Sequence, residues 1–374
     1  MILSIGLSAI SSTEIYACTV LTIKDTGGNT YQGRTNEFAG QQPDSLTYFP
    51  TGTRIESVTP DGGQGKTFNT MHGILAVTLK GMTPGAKQDT LHEAVNDSGL
   101  TFSTNAFSDN SPPAVDYNSR NILSVVDLGT WALGNFETVT EVKKAIEERA
   151  VDIWLPRIAS MGNLHAPVHF ALFDRKGDGI VIEFTDGKTV VYDNPVGVMT
   201  NSPAFPWHLQ NLKNYTQLTN VDKNEGQFYK LRVTAPDSGN ALAGVPSTQI
   251  SPGRFVKAAF YANYVRKANS SEEAIQTLGH VMNNFDRPFD LSMDEAGTTG
   301  PSEASTSLKP SSEVTYFTVL NDLSENLFFI RTIDAINFAR IDVRKLRSVK
   351  GVKVVPFKSI NAINRLDATW LFLN

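Results

Sequence analysis

Residues 18–38 read CTVLTIKDTGGNTYQGRTNEF. CTVLTIK (18–24) is apolar and rich in β-branched residues. DTGGN (25–29) carries two glycines that can take positive φ, and TYQGRT (30–35) resumes an extended pattern. The stretch therefore predicts a β-hairpin. A tight turn brings the far ends of its two strands together. Cys18 opens the first strand, and Arg34 and Glu37 come near the end of the second, so both can lie beside Cys18. A guanidinium there favours a thiolate and lowers the thiol pKa. Cys18 is the one cysteine in 374 residues, which excludes an intrachain disulfide framework and a zinc site built on several thiolates. A lone cysteine is most often an inert buried residue; the place of this one, at a strand start behind a leader-like segment, changes that expectation.

The preceding residues 1–17 read MILSIGLSAISSTEIYA. Positions 2–10 are mostly apolar, far short of the ~18–20 residues that span a bilayer. Small polar residues follow, and Ala17 stands just before Cys18. This resembles the hydrophobic region and cleavage site of a secretory signal peptide. No Lys or Arg precedes Lys24, and Ile15 stands where a small residue is preferred. A short buried strand is the alternative. Cleavage after Ala17 makes Cys18 the first residue, and two chemistries use such a cysteine. One is lipid anchoring, against which Tyr16 argues. The other is N-terminal nucleophile catalysis, where an α-amine of pKa about 7.7–8.0 acts as general base for its own side chain.

At about 150 residues per domain the length suggests two or three domains, and one large layered domain is equally allowed. Apolar residues are 40% and charged residues 19%, enough for a sizeable core and too few charges for a disordered polyampholyte. With 33 basic against 38 acidic residues, net −5, the basic footprint of a nucleic-acid partner is missing. Further strands are expected at 73–80, at 91–107 as a strand, turn and strand, at 169–185 as a hairpin, at 189–195, and at 314–332 as a closing hairpin. Helices are expected at 119–134, 138–149, 254–268 and 271–285. The Gly/Pro/Ser/Thr-rich stretch 294–312 reads as a mobile surface loop. Strands and helices come in blocks, which favours stacked antiparallel sheets with outer helices over a doubly wound parallel sheet.

GGQGKT (62–67) looks like part of a phosphate loop, but Pro60 stands where the pattern needs Gly, and a polar turn explains it. Of the six histidines only His165 and His169 are close, and no third ligand completes a metal site. No G-x-S-x-G elbow is present.

Cys-Thr followed by Gly-Arg-x-x-acid, with the Arg sixteen residues after the Cys, resembles the choloylglycine hydrolase family of N-terminal nucleophile enzymes. That family includes penicillin V acylases and conjugated bile acid hydrolases. AVNDSGLTFSTNAF (94–107) resembles the family's N-E-x-G-L…N-F hairpin, with Asp97 for Glu. NPVGVMTNSPAFPWHLQNLKNY (194–215) resembles its N-P-x-x-V-x-T-N-x-P-x-F segment, SPGRFVKAAF (251–260) a helix start, and 314–332 the closing hairpin. The resemblance spans about residues 18–335. It implies an α+β fold, a four-layer αββα sandwich, with residues 1–17 removed and 18–374 forming one catalytic domain.

It implies that Cys18 is the nucleophile and its α-amine the base, that Arg34 stabilises the thiolate, and that Glu37, where the family has Asp, hydrogen-bonds the α-ammonium. Asn201 and Asn105 would donate to the oxyanion, and Arg254 would complete the charged cluster. The implied reaction is hydrolysis of a linear, non-peptide amide with neither metal nor organic cofactor, by a homotetramer in the periplasm. The expected substrates are penicillin V or N-acyl homoserine lactones, with conjugated bile acids the alternative. Two rivals are a lipid-anchored periplasmic binding protein and an intracellular protein that keeps residues 1–17.

Overall fold

The computed structural model describes residues 17–39, 45–80, 85–116, 119, 121–158, 164–294 and 311–363. In the turn at 25–29, Asp25 accepts from the Asn29 N–H at 2.8 Å and Gly28 takes a φ of 83°. The turn pairs β1 (Cys18–Lys24) antiparallel with β2 (Thr30–Ala39), setting Cys18 opposite Asn36 and Val20 opposite Arg34. Side chains alternate between faces of a strand, so Cys18, Arg34 and Asn36 share one face.

The other main elements, in chain order, begin with β3 (Ser45–Phe49), β4 (Ile74–Leu79), β5 (Thr90–Asn96) and β6 (Thr101–Ala106). Two helices follow, α1 (Leu128–Asn135) and α2 (Val139–Glu147), then β7 (Val168–Phe173), β8 (Gly179–Thr185), β9 (Lys188–Asp193) and β10 (Val198–Met199). After α3 (Phe205–Leu212), α4 (Ser251–Tyr264) and α5 (Ser271–Met282) come β11 (Ser311–Asp322), β12 (Leu327–Thr332), β13 (Ala339–Asp342) and β14 (Lys353–Pro356).

One sheet runs β10-β1-β2-β11-β12-β13 and the other β9-β8-β7-β6-β5-β4-β3-β14. Helices α4 and α5 cover the first sheet, and α1 and α2 the second. The two sheets face each other across a core of Leu46, Tyr48, Leu75, Val77 and Val95 against Phe317, Val319, Phe328 and Ile330. The result is the expected four-layer αββα sandwich. Burial of such side chains, at about 1.5–3 kcal/mol each, holds the layers together.

Local signals explain the helices. Thr138 and Glu141 form a reciprocal capping box at the start of α2, whose buried face is Val139, Val142 and Ile146. Ser270 caps α5 through the Glu273 N–H. Two expected helices shift. The helix expected over 119–134 starts only at Leu128 and ends at Asn135, because Ile122–Ser124 is a buried strand paired in parallel with Asp152–Trp154. The helix expected over 254–268 starts at Ser251, with Pro252 in its first turn, and stops at Tyr264 as Val265 turns extended. GGQGKT falls in a hairpin in which Gln64–Asn69 pairs with Arg54–Val58, with no helix after it. Residues 1–16 of the expected leader and 295–310 of the expected loop lie outside the described residues. Among the described residues no helix is long and apolar enough to cross a membrane.

Candidate active site

Cys18 stands at the first position of β1 with its side chain between the sheets, 1% exposed. Two donors reach its sulfur. Arg34 Nη2 lies 3.3 Å and Asn36 Nδ2 3.4 Å from Cys18 Sγ. Arg34 is held from the opposite sheet. Its Nη1 donates to the His92 carbonyl at 3.2 Å, Nη2 also donates to the Thr104 carbonyl, and Nε lies 3.5 Å from Glu93 Oε2. Glu93 accepts further from Gln32 at 3.2 Å and Ser103 at 2.6 Å. Burial pushes the Glu93 carboxyl up to about 7 despite Arg34.

The backbone of Cys18 is gripped from the other side. Its N–H donates to Asn201 Oδ1 at 2.8 Å. Arg254, from the first turn of α4, donates Nη1 to the Cys18 carbonyl and to Thr19 Oγ1, and Nη2 to Asn201 Oδ1 at 2.7 Å. Its Nε donates to the Gln249 carbonyl at 2.7 Å. Burial lowers Arg254 to about 10, so it stays charged at neutral pH. Asn201 follows β10 and is fixed in turn, with Ser251 Oγ bonded to both its N–H and its carbonyl at 3.0 Å.

The structure thus joins Cys18, Arg34, Asn201 and Arg254 by direct hydrogen bonds. Asn105 sits one step away, its Nδ2 donating to the Thr200 carbonyl at 2.6 Å. Three details differ from expectation. First, the thiol of Cys18 is raised, because burial outweighs the opposing pull of Arg34. Second, the Glu37 carboxylate makes no hydrogen bond to Cys18 N. Its Oε1 accepts from Thr315 Oγ1 at 3.1 Å, and its backbone N–H donates to the Ala17 carbonyl at 2.8 Å. Residue 37 follows Asn36 on the strand and so points to the helix-covered face. There burial raises its carboxyl, opposed by Arg254 and Arg287. Third, Asn201 turns its oxygen toward Cys18, because two donors, Cys18 N–H and Arg254 Nη2, converge there. Its Nδ2 donates to the Ala106 carbonyl at 3.1 Å.

Asn36 and His92 escape the sequence reading. The hairpin register could have found Asn36, which lies directly across from Cys18. Among the described residues no group of three or more His, Cys, Asp or Glu side chains is arranged to hold a metal ion. His165 instead contacts the Leu155 carbonyl at 2.8 Å, and buried His169 pairs with Glu183 at 3.1 Å.

The family model for linear amide C–N hydrolases of the choloylglycine hydrolase family matches residues 18–347. The chain belongs to this family. Choloylglycine hydrolase relatives include the bile salt hydrolase/transferase of Clostridium perfringens, 27% identical over 285 residues, which cover 74% of this chain and 80% of that one. The penicillin V acylase of Pectobacterium atrosepticum is 23% identical over 356 residues, covering 90% and 86%. Among solved structures, a conjugated bile acid hydrolase from Clostridium perfringens has a TM-score of 0.76 at 23% identity, with 94% of this chain and all of that one covered. A penicillin V acylase from Agrobacterium tumefaciens has a TM-score of 0.70 at 22% identity, covering 90% of each. These likenesses establish the fold, and the family match starts at Cys18 itself. The family match makes the chain a linear amide C–N hydrolase.

Proposed function

We propose that this hydrolase cleaves N-acyl amides through Cys18 as an N-terminal nucleophile, once residues 1–17 are removed. The observation that carries this reading is the double grip on one residue: acceptor Asn201 Oδ1 on its nitrogen and donors Arg34 and Asn36 on its sulfur. Because burial raises the thiol, a base must take its proton, and a freed α-amine on the same residue is placed to do so. Sγ attacks the amide carbonyl carbon as its proton moves to the α-amine. The carbon–nitrogen bond then breaks, the α-ammonium protonates the leaving amine, and a thioester remains. Water, deprotonated by the same amine, adds to the thioester and releases the carboxylic acid and the thiol.

Arg34 supports the sulfur's negative charge, and Arg254 holds the Cys18 backbone. Glu37 supplies negative charge near the α-ammonium without touching it. Asn201 and Asn105 each spend one side-chain N–H on a backbone carbonyl, which leaves each a second N–H for the developing oxyanion.

The substrates we propose first are penicillin V and N-acyl homoserine lactones, ahead of bile conjugates. The leader-like segment, which implies export to the periplasm, and the 356-residue span shared with a penicillin V acylase support that order. A homotetramer is the proposed assembly. The hairpin bearing exposed Phe228, Tyr229 and Leu231 offers an apolar face for it. A substrate panel tests the reading. The expected result is the highest kcat/KM on penicillin V or a long-chain acyl lactone, lost in Cys18→Ala. Preference for taurine or glycine conjugates of bile acids overturns the substrate order, and no amide hydrolysis at all overturns the reaction.

A further inference from the structure

Strand β5 pairs with β4 so that Glu93 lies opposite Val77 and Leu91 opposite Thr78. His92 has no partner across the ladder. It is the extra residue of a β-bulge, a feature that re-aims side chains. Normal alternation would send His92 and Glu93 to opposite faces. Here both reach the space between the sheets: Glu93 meets Arg34, and His92 meets Asn36. Asn36 Nδ2 lies 3.3 Å from His92 Nε2 and 3.4 Å from Cys18 Sγ. The His92 ring is buried and packs edge-on against Phe317, at 6.0 Å between centroids.

Proton roles follow from the sulfur. A thiolate only accepts, so the Asn36 amide must present its N–H₂ end to it. One N–H then points to Sγ and the other to His92 Nε2, which must be an acceptor, so the ring proton sits on Nδ1. A neutral ring is required for this, and burial together with the Arg34 guanidinium holds His92 well below its usual pKa.

We infer that Asn36 and His92 are a positioning pair for this chain's nucleophile: neutral His92 fixes the Asn36 carboxamide so that it donates a hydrogen bond to the Cys18 thiolate. The inference rests on Cys18 being the nucleophile. It adds a second donor beside Arg34, one that carries no charge. Arg34, Glu37 and Arg254 are the charged groups that act on the sulfur, and Arg34 acts on His92. Glu93, on the same strand as His92, engages the Arg34 side chain. None of these is altered by changing Asn36 to its isostere Leu. The Asn36 Oδ1 and His92 Nδ1 atoms have no hydrogen-bond partner among the described residues, so the contacts to Sγ and Nε2 are what orient this amide and ring.

The test uses the mature enzyme with a chromogenic phenoxyacetyl amide. It reads kcat and KM across pH, and the rate of Cys18 alkylation by iodoacetamide across the same range. Asn36→Leu is expected to move the thiol's alkylation pKa up by about one to two units, the loss of one hydrogen bond to a charged acceptor. It should lower kcat about 10–100-fold at neutral pH and leave KM unchanged. His92→Phe should shift the alkylation profile in the same direction, while His92→Gln, which keeps an acceptor for Asn36 Nδ2, should restore it. Wild-type profiles in both Asn36→Leu and His92→Phe overturn the inference, as does a His92→Gln profile that matches His92→Phe. If Asn36→Leu does not fold, the two His92 variants decide. Hydrolysis that survives in Cys18→Ala instead overturns the nucleophile assignment, and so separates the two failures.

Discussion

Glu93→Gln should make this protein more stable at alkaline pH. The Glu93 carboxyl is fully buried and sits at about 7 against a usual 4.5, because desolvation outweighs the attraction of Arg34 and the hydrogen bonds from Ser103 and Gln32. The folded chain therefore holds this proton where the unfolded chain has released it. A carboxyl raised in this way favours the folded state fully below the unfolded value, and that contribution is lost as pH rises through the window from 4.5 to about 7. A span of about 2.5 units corresponds to roughly 3 kcal/mol. Gln is neutral throughout; its one amide oxygen can accept from Gln32, and its N–H₂ can donate to Ser103 Oγ in place of the bond Ser103 now donates. The variant should match wild type near pH 4.5 and exceed it by about 3 kcal/mol at pH 8. Urea unfolding at pH 5 and pH 8, with protein concentration fixed because assembly shifts apparent stability, measures both slopes. Parallel pH dependence in the two proteins would refute the reasoning, since Glu93 would then not titrate in that window.

Two further outcomes follow from the same geometry. Asn201→Leu removes the acceptor shared by Cys18 N–H and Arg254 Nη2. It should lower kcat/KM by about 100–1000-fold and cost about 3–5 kcal/mol, since a buried guanidinium loses a partner; steady-state kinetics and denaturation read the two effects. Gly99→Ala, in the turn between β5 and β6, places a methyl group against the Leu323 carbonyl at a φ of 83°. It should cost about 1–3 kcal/mol of stability through strain and overpacking, read as a lower unfolding midpoint, with the kcat of the folded fraction unchanged.

The hairpin at 18–39 is legible in the sequence because its signals are local: β-branched runs, a Gly-Gly turn, and an apolar strand start at Cys18. From it the proximity of Arg34 follows, and with the register so does that of Asn36. The helix expected over 138–149 is α2, whose buried residues Val139, Val142 and Ile146 recur at helical spacing along the chain. Long-range contacts are not legible. Ile122–Ser124 has helical-looking neighbours, and only its parallel pairing with Asp152–Trp154 makes it a strand. His92 is invisible because the bulge that aims it depends on register between β4 and β5. The Glu37 carboxylate points away from Cys18 N because strand alternation sends residues 36 and 37 to opposite faces. The raised thiol depends on burial that composition does not locate.

The most direct test traps the acyl-enzyme from the active protein and maps it by mass spectrometry. The acyl group is expected as a hydroxylamine-sensitive thioester on a peptide whose first residue is Cys18, with a free amine. Full activity in protein whose Cys18 is still joined to Ala17, or an acyl group on any other residue, would contradict it.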